Sequence, residues 1–203
     1  MIFLQIVKVF LYIYIGLHNP HINETCPDGM TSTGAGSCID IYPIGASEDT
    51  KPTLSLSGLP EDYIDLKGKT WDLKSICESQ NKRMCSLNEW TSACRGTKKE
   101  NCPPLKPYIA PNWDLVARRD KKELERLNQY STPNQYPLCK SNTGARMMLN
   151  SAQEWVSYGI NQYVLTRGYW SRPGQCNSIN TAHSPRWHDY ATTGRCCVNS
   201  TIK

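Results

Sequence analysis

Cysteine is the residue type with the greatest chemical reach in this chain, and ten are present, at positions 26, 38, 77, 85, 94, 102, 139, 176, 196 and 197. A thiolate can ligate a soft metal, attack an electrophile or close a disulfide, and spacing discriminates among these. No two cysteines form a C-x-x-C knuckle and no H-x-x-x-H lies nearby, which argues against a tetrahedral zinc site. An even count spread through the chain predicts a disulfide framework in an oxidising compartment, secreted or extracytoplasmic. Tryptophan is the second residue type of interest. Trp155, Trp170 and Trp187 are large and amphipathic, as the anchors of a binding groove often are.

The remaining composition narrows the classes. Formal net charge is +5, and the basic residues cluster between Arg95 and Arg126 with Asp and Glu interleaved. That mixture reads as a solvated insertion; a nucleic-acid face would need one basic stripe. A chain of 203 residues suits one domain with a real core plus a short leader. Met1 to Gly16 is apolar apart from Gln5 and Lys8. It is shorter than the ~20 apolar residues of a spanning helix and reads as a signal-peptide core. The expected division is a leader over 1–22 and a domain over 23–203, with membrane association only through an uncleaved N-terminal segment. Two glycosylation sequons begin at Asn23 and Asn199.

Several elements are legible. Cys26-Pro27-Asp28-Gly29-Met30 leads through a Gly-rich turn at 33–36 to Cys38-Ile39-Asp40-Ile41-Tyr42, which predicts a hairpin stapled by Cys26 and Cys38. Residues 45–69 read as loop. Leu73, Ile76 and Cys77 share a face of a helix over 71–80. A second helix runs over 87–95, opened by a Ser86/Glu89 capping box and stopped by Gly96, with Leu87, Trp90 and Cys94 inward. Residues 97–140 read as an irregular excursion with one charged helix over 118–127. Short strands separated by long loops are expected from Gly144 onward, giving an α+β domain with two main helices on a small antiparallel sheet.

Three segments, in order, resemble the sulfatase-modifying-factor family that contains the formylglycine-generating enzyme. The first runs from Asn81 to Gly96, where Lys82, Arg83, Glu89, Trp90, Ala93, Arg95 and Gly96 match the pattern G-K-R-L-P-T-E-A-E-W-E-Y-A-x-R-G. The second runs from Gly144 to Val156; Gly144, Met148, Glu154 and Trp155 agree with G-L-Y-D-M-x-G-N-V-W-E-W. The third joins Arg167-Gly168-Tyr169-Trp170 to Gly194-Arg195-Cys196-Cys197, similar to R-G-G-S-W followed by G-F-R-C. The resemblance implies a formylglycine-generating-enzyme-like fold related to C-type lectins, with long disulfide-linked loops. It also implies core positions for Trp90, Trp155 and Trp170 and a bridge from Cys77 to Cys196 or Cys197, worth roughly 4–5 kcal/mol in loop entropy. Cys94–Cys102 is then a plausible local loop, leaving Cys139 and Cys176 to share Cys85 and the other terminal cysteine.

The family's chemistry is only partly present. Its oxidases hold copper(I) with two cysteines just after R-G-G-S-W, and the corresponding stretch from Ser171 to Asn180 holds one, Cys176. Copper is therefore not expected, and Cys176 is the residue on which an alternative oxidoreductase reading, acting on cysteine in a peptide, depends. The family's iron branch uses H-x-x-x-H-x-E, whereas His183 and His188 stand five apart, followed by Asp189. A calcium turn carried over from the family points to Asn150, Ala152 and Glu154, with calcium the one cofactor under consideration. The variable loops of the fold would present Tyr169, Arg172, Trp187, His188 and Tyr190 to a ligand. The expected function is a secreted, non-catalytic binding or structural module. Its partner would be a protein or glycan surface, or a neighbouring subunit in an envelope or virion assembly, and not nucleic acid.

Overall fold

The computed structural model describes residues 24–60, 70–166 and 173–202. The leader, the Asn23 sequon and the expected ligand residues Tyr169 and Arg172, together with Trp170, lie outside the described residues.

The chain opens with β1 (Glu24–Thr25) and the predicted hairpin, β2 (Met30–Ser32) and β3 (Ser37–Asp40). Cys26 and Cys38 are bonded across it as expected. Helix α1 (Leu73–Ser79) is capped by the Asp72 carboxylate, which accepts from the Ser75 amide at 2.8 Å. Leu73 and Cys77 are its buried residues. After β4 (Arg83–Met84) comes α2 (Leu87–Cys94), where the predicted capping box is present: the Ser86 hydroxyl accepts from the Glu89 amide at 3.3 Å. The Ser86 amide donates to Glu89 Oε2 at 2.7 Å in return. Gly96 ends this helix at φ 80°, a left-handed conformation that favours glycine, and a Cβ there would also displace the exposed Asn142 side chain.

The excursion differs from expectation in two ways. The single helix over 118–127 is two short helices, α3 (Trp113–Ala117) and α4 (Lys121–Leu127). Arg119 takes φ 51° between them, and Asn112 and Asp120 each cap one. Nor is the segment merely solvated. Val116, Leu127, Tyr130, Cys102 and Cys139 belong to the main core. Most of its charges face out, while the buried Glu123 carboxylate is paired to Arg126 at 2.6 Å.

The second half supplies β5 (Gln153–Ser157), β6 (Tyr163–Thr166), β7 (Ile179–Asn180), β8 (Thr192–Gly194), β9 (Cys196–Asn199) and β10 (Thr201–Ile202). Instead of one small sheet, the described strands form two four-stranded sheets, β2-β3-β9-β4 and β7-β6-β5-β8, plus the β1-β10 pair. Pairing is antiparallel except between β5 and β8, which run parallel. Strands β8 and β9 are separated by one residue, Arg195, so the chain steps from one sheet to the other there. Whatever Arg195 touches therefore ties the two sheets together.

All ten cysteines are paired, and the described residues contain no free thiol. Cys77 bonds Cys196 and Cys85 bonds Cys197, joining α1 and the segment before α2 to β9. Cys94 bonds Cys176 and Cys102 bonds Cys139, which overturns the expected Cys94–Cys102 loop. The reason is directional: Cys94 is fully buried on the inward face of α2, and Cys102 lies beyond the turn Lys99–Asn101, facing the 139 segment.

Candidate functional site

Between the two sheets lies a buried polar knot. The Arg195 side chain is 0% exposed and that of Glu154 is 1% exposed. Arg195 Nε donates to both carboxylate oxygens of Glu154 at 3.0 Å. Its other nitrogens donate to the carbonyls of Asp40, Ile41 and Arg146. Trp90 Nε1 donates to Glu154 Oε2 at 3.0 Å. Beside this, the Asp40 carboxylate accepts from Lys82 Nζ at 2.6 Å and from the Cys196 amide at 3.0 Å. The Arg195–Glu154 pair thus joins the end of β3, strand β5, α2 and the step between β8 and β9. A buried charge is tolerable only when paired and hydrogen-bonded in this way.

That knot decides how the calcium residues fit. Asn150, Ala152 and Glu154 are all buried. The Glu154 carboxylate is already balanced by Arg195, and Asn150 is consumed as a brace: its Nδ2 donates to the Pro103 carbonyl and its Oδ1 accepts from the Gly174 amide, both at 3.0 Å. Calcium takes six to eight oxygens, and the side chains that Glu154 and Asn150 would bring to it are engaged within the protein. Among the described residues there is no group of three or more His, Cys, Asp or Glu arranged to hold a metal.

The expected ligand residues divide. Tyr190 is 4% exposed and belongs to the main core, its ring tilted against Trp113 at 6.0 Å, so it is a packing residue and not a ligand contact. Trp187 and His188 are half-buried. Trp187 rests on the second core cluster around Leu73 and Trp155 and stacks face to face with His183 at 3.6 Å. Burial lowers the His183 pKa, which favours the uncharged imidazole. Trp90 and Trp155 are core residues, and Trp155 Nε1 donates to the Leu56 carbonyl at 3.1 Å.

The loop from Pro173 to Arg186 is fastened from beneath and exposed above. Its anchors are the Cys94–Cys176 bond, the Gly174 amide on Asn150, and the Pro185 carbonyl accepting from the amides of Gly58 and Leu59 at 2.8 and 2.9 Å. Gln175, Asn177, Thr181, Ser184 and Arg186 are exposed along it. The loop can present polar groups in a fixed arrangement. It cannot offer a thiolate, because Cys176 is bonded, and the oxidoreductase alternative loses its nucleophile and copper ligand. The sequence reading overlooked Arg195 as the organiser of the interior. The signal was the arginine of the terminal Gly194-Arg195-Cys196 run.

Comparison with known proteins places the fold. The chain is similar to the solved structures of the Major Tropism Determinant U1 and P3c variants, each at TM-score 0.55 and 14% identity over 89% of this chain. The I1 variant matches at TM-score 0.53 with the same identity. The chain spans about half of those structures, 55% of their length. No family model matches the sequence and no curated protein matches it. At this identity the likeness shows the fold alone, which is C-type-lectin-like, α+β and disulfide-stapled. Five disulfides point to an oxidising or extracytoplasmic setting, and no helix among the described residues is long and apolar enough to cross a membrane.

Proposed function

We propose that this chain is an exported, non-catalytic recognition module built on a formylglycine-generating-enzyme-like variant of the C-type-lectin-like fold. Its loop over 173–186 contacts a protein or glycan surface. The observation that carries the reading is the Cys94–Cys176 bond. It occupies the one cysteine that could have served catalysis and fixes the loop to α2. Pre-fixing a loop lowers the ordering cost of binding, which suits recognition. The solved proteins it resembles are named as determinants of tropism, a name in keeping with selective attachment. A virion or envelope surface is a setting that fits both the name and the disulfides.

The test uses labelled, oxidised full chain against a panel of immobilised glycans and intact cell surfaces. The Gln175→Ala/Asn177→Ala/Arg186→Ala variant should retain its fold by circular dichroism and lose any signal. Copper-dependent turnover of a cysteine peptide by the purified chain would overturn the reading.

A further inference from the structure

A second surface, remote in sequence from that loop, has the makings of a docking site. Cys102 and Cys139 bring two irregular segments together with a Cα–Cα distance of 4.5 Å. Around the bond opens a cleft of about 550 Å³ lined chiefly by Pro103, Pro104, Leu105 and Tyr136, with Lys99 and Glu100 at its edge and Asn150 on its wall. Leu105 is 45% exposed and Leu138, next to the bridge, is 62% exposed. Exposed large apolar side chains grouped at a concavity mark a contact surface.

The cleft lining carries Lys99 and Glu100, and the chain segments that flank it are mainly cationic. Segments 95–105 and 136–142 carry four cations, Arg95, Lys98, Lys99 and Lys140, and a single carboxylate, Glu100. The Asn142 amide donates to the Arg95 carbonyl at 3.1 Å, which sets the two basic stretches side by side. All four cations are exposed, and none makes an ion pair among the described residues.

We propose that this cleft docks an acidic polypeptide segment of a partner protein, with one bulky apolar side chain inserted between Pro104, Leu105 and Tyr136. Exposed cations on the segments flanking an apolar slot supply charge complementarity and steering, and the slot supplies the anchor. A glycan fits less well: the wall amide of Asn150 is spent on Pro103 and Gly174, so sugar hydroxyls would meet few partners. The cleft adjoins the loop over 173–186 through Asn150, so the variants are placed at Lys98, Lys99, Leu105 and Lys140, none of which bonds that loop among the described residues.

The experiment selects a random dodecapeptide library on the immobilised, oxidised full chain. Enriched peptides are then titrated by fluorescence anisotropy. The expected result is enrichment of Asp and Glu around a Trp, Phe or Leu. Affinity should fall at least ~10-fold in the Lys98→Glu/Lys99→Glu/Lys140→Glu variant and also from 50 to 300 mM salt. Leu105→Ser, on an exposed side chain, should weaken the same peptides without altering the melting temperature. No acidic enrichment, or equal affinity for both variants and the parent, overturns the proposal. So does preferential binding to phosphatidylserine vesicles, or a self-association that the triple variant abolishes, since each assigns the cleft to a different occupant.

Discussion

Replacing Glu154 by Gln tests the interior directly. The change keeps the side chain's shape and removes only its charge, leaving the Arg195 guanidinium cationic at 0% exposure. Three carbonyls, of Asp40, Ile41 and Arg146, still accept from it, so the arginine keeps its hydrogen bonds but loses its counter-charge. Breaking a buried pair from one side costs about 3–5 kcal/mol. The retained carbonyls and the amide oxygen that Gln still offers Arg195 or Trp90 put this variant near the lower end, about 3 kcal/mol. For a chain of this length that is a fall of roughly 6–12 °C in Tm. Urea unfolding with the disulfides intact reads the change. A loss below about 1 kcal/mol would refute the reasoning, because surface-like ion pairs cost no more than that. The same melts with EDTA and with added calcium should coincide for the parent protein; a calcium-dependent rise in Tm that Glu154→Gln abolishes would restore the calcium reading.

Three further outcomes follow from the geometry. Gly194→Ala would set a Cβ 2.1 Å from Leu73 Cδ2, and with Leu73 fully buried the overpacking should cost about 1–3 kcal/mol in denaturant melts. Burial alone would raise the Glu89 pKa, but the Arg83 guanidinium, the Ser86 amide and nearby hydroxyls outweigh it and take it from 4.5 down to about 2. Its contribution to stability is therefore present above pH 4.5 and lost as pH falls toward 2, and Glu89→Gln should flatten that part of an acid melt series. Asp189 has the opposite sign: burial, opposed by the Ala191 amide, raises its pKa from 3.8 to about 7. Its contribution is full below pH 3.8 and lost as pH rises to 7, so Asp189→Asn should gain relative to the parent between those values in a Tm series against pH.

Much of the first half was legible because local signals agree with tertiary demand. The Ser86/Glu89 capping box and the Gly96 stop act within one helical turn, and the structure keeps both. The Cys26–Cys38 hairpin is likewise local. The broken helix over 113–127 was misread although Asn112 and Asp120 stand three residues before the amides they cap, a signal that was there to use. Pairings across the chain were legible in part: the Cys77–Cys196 bond, at a separation of 119, is one that the family resemblance implies. Cys94 has Cys102 as its nearest neighbour in sequence, yet bonds Cys176 at a separation of 82, because the inward face of α2 points away from its own turn. The site was less legible still. Tyr190 looks like an exposed aromatic in a loop and is held in the core by tertiary packing that no spacing reveals. The ion-pair partner of Glu154, Arg195, lies 41 residues away in sequence, beyond the reach of any local signal.

The central claim is that a scaffold of this fold has committed its cysteines to structure, Cys176 included. A non-reducing peptide map of the native chain, with thiol titration in denaturant, tests it most directly. The account predicts no titratable thiol and a cross-linked peptide joining Cys94 to Cys176. A free Cys176 together with stoichiometric copper(I) binding would contradict it, and would return the loop from recognition to oxidation chemistry.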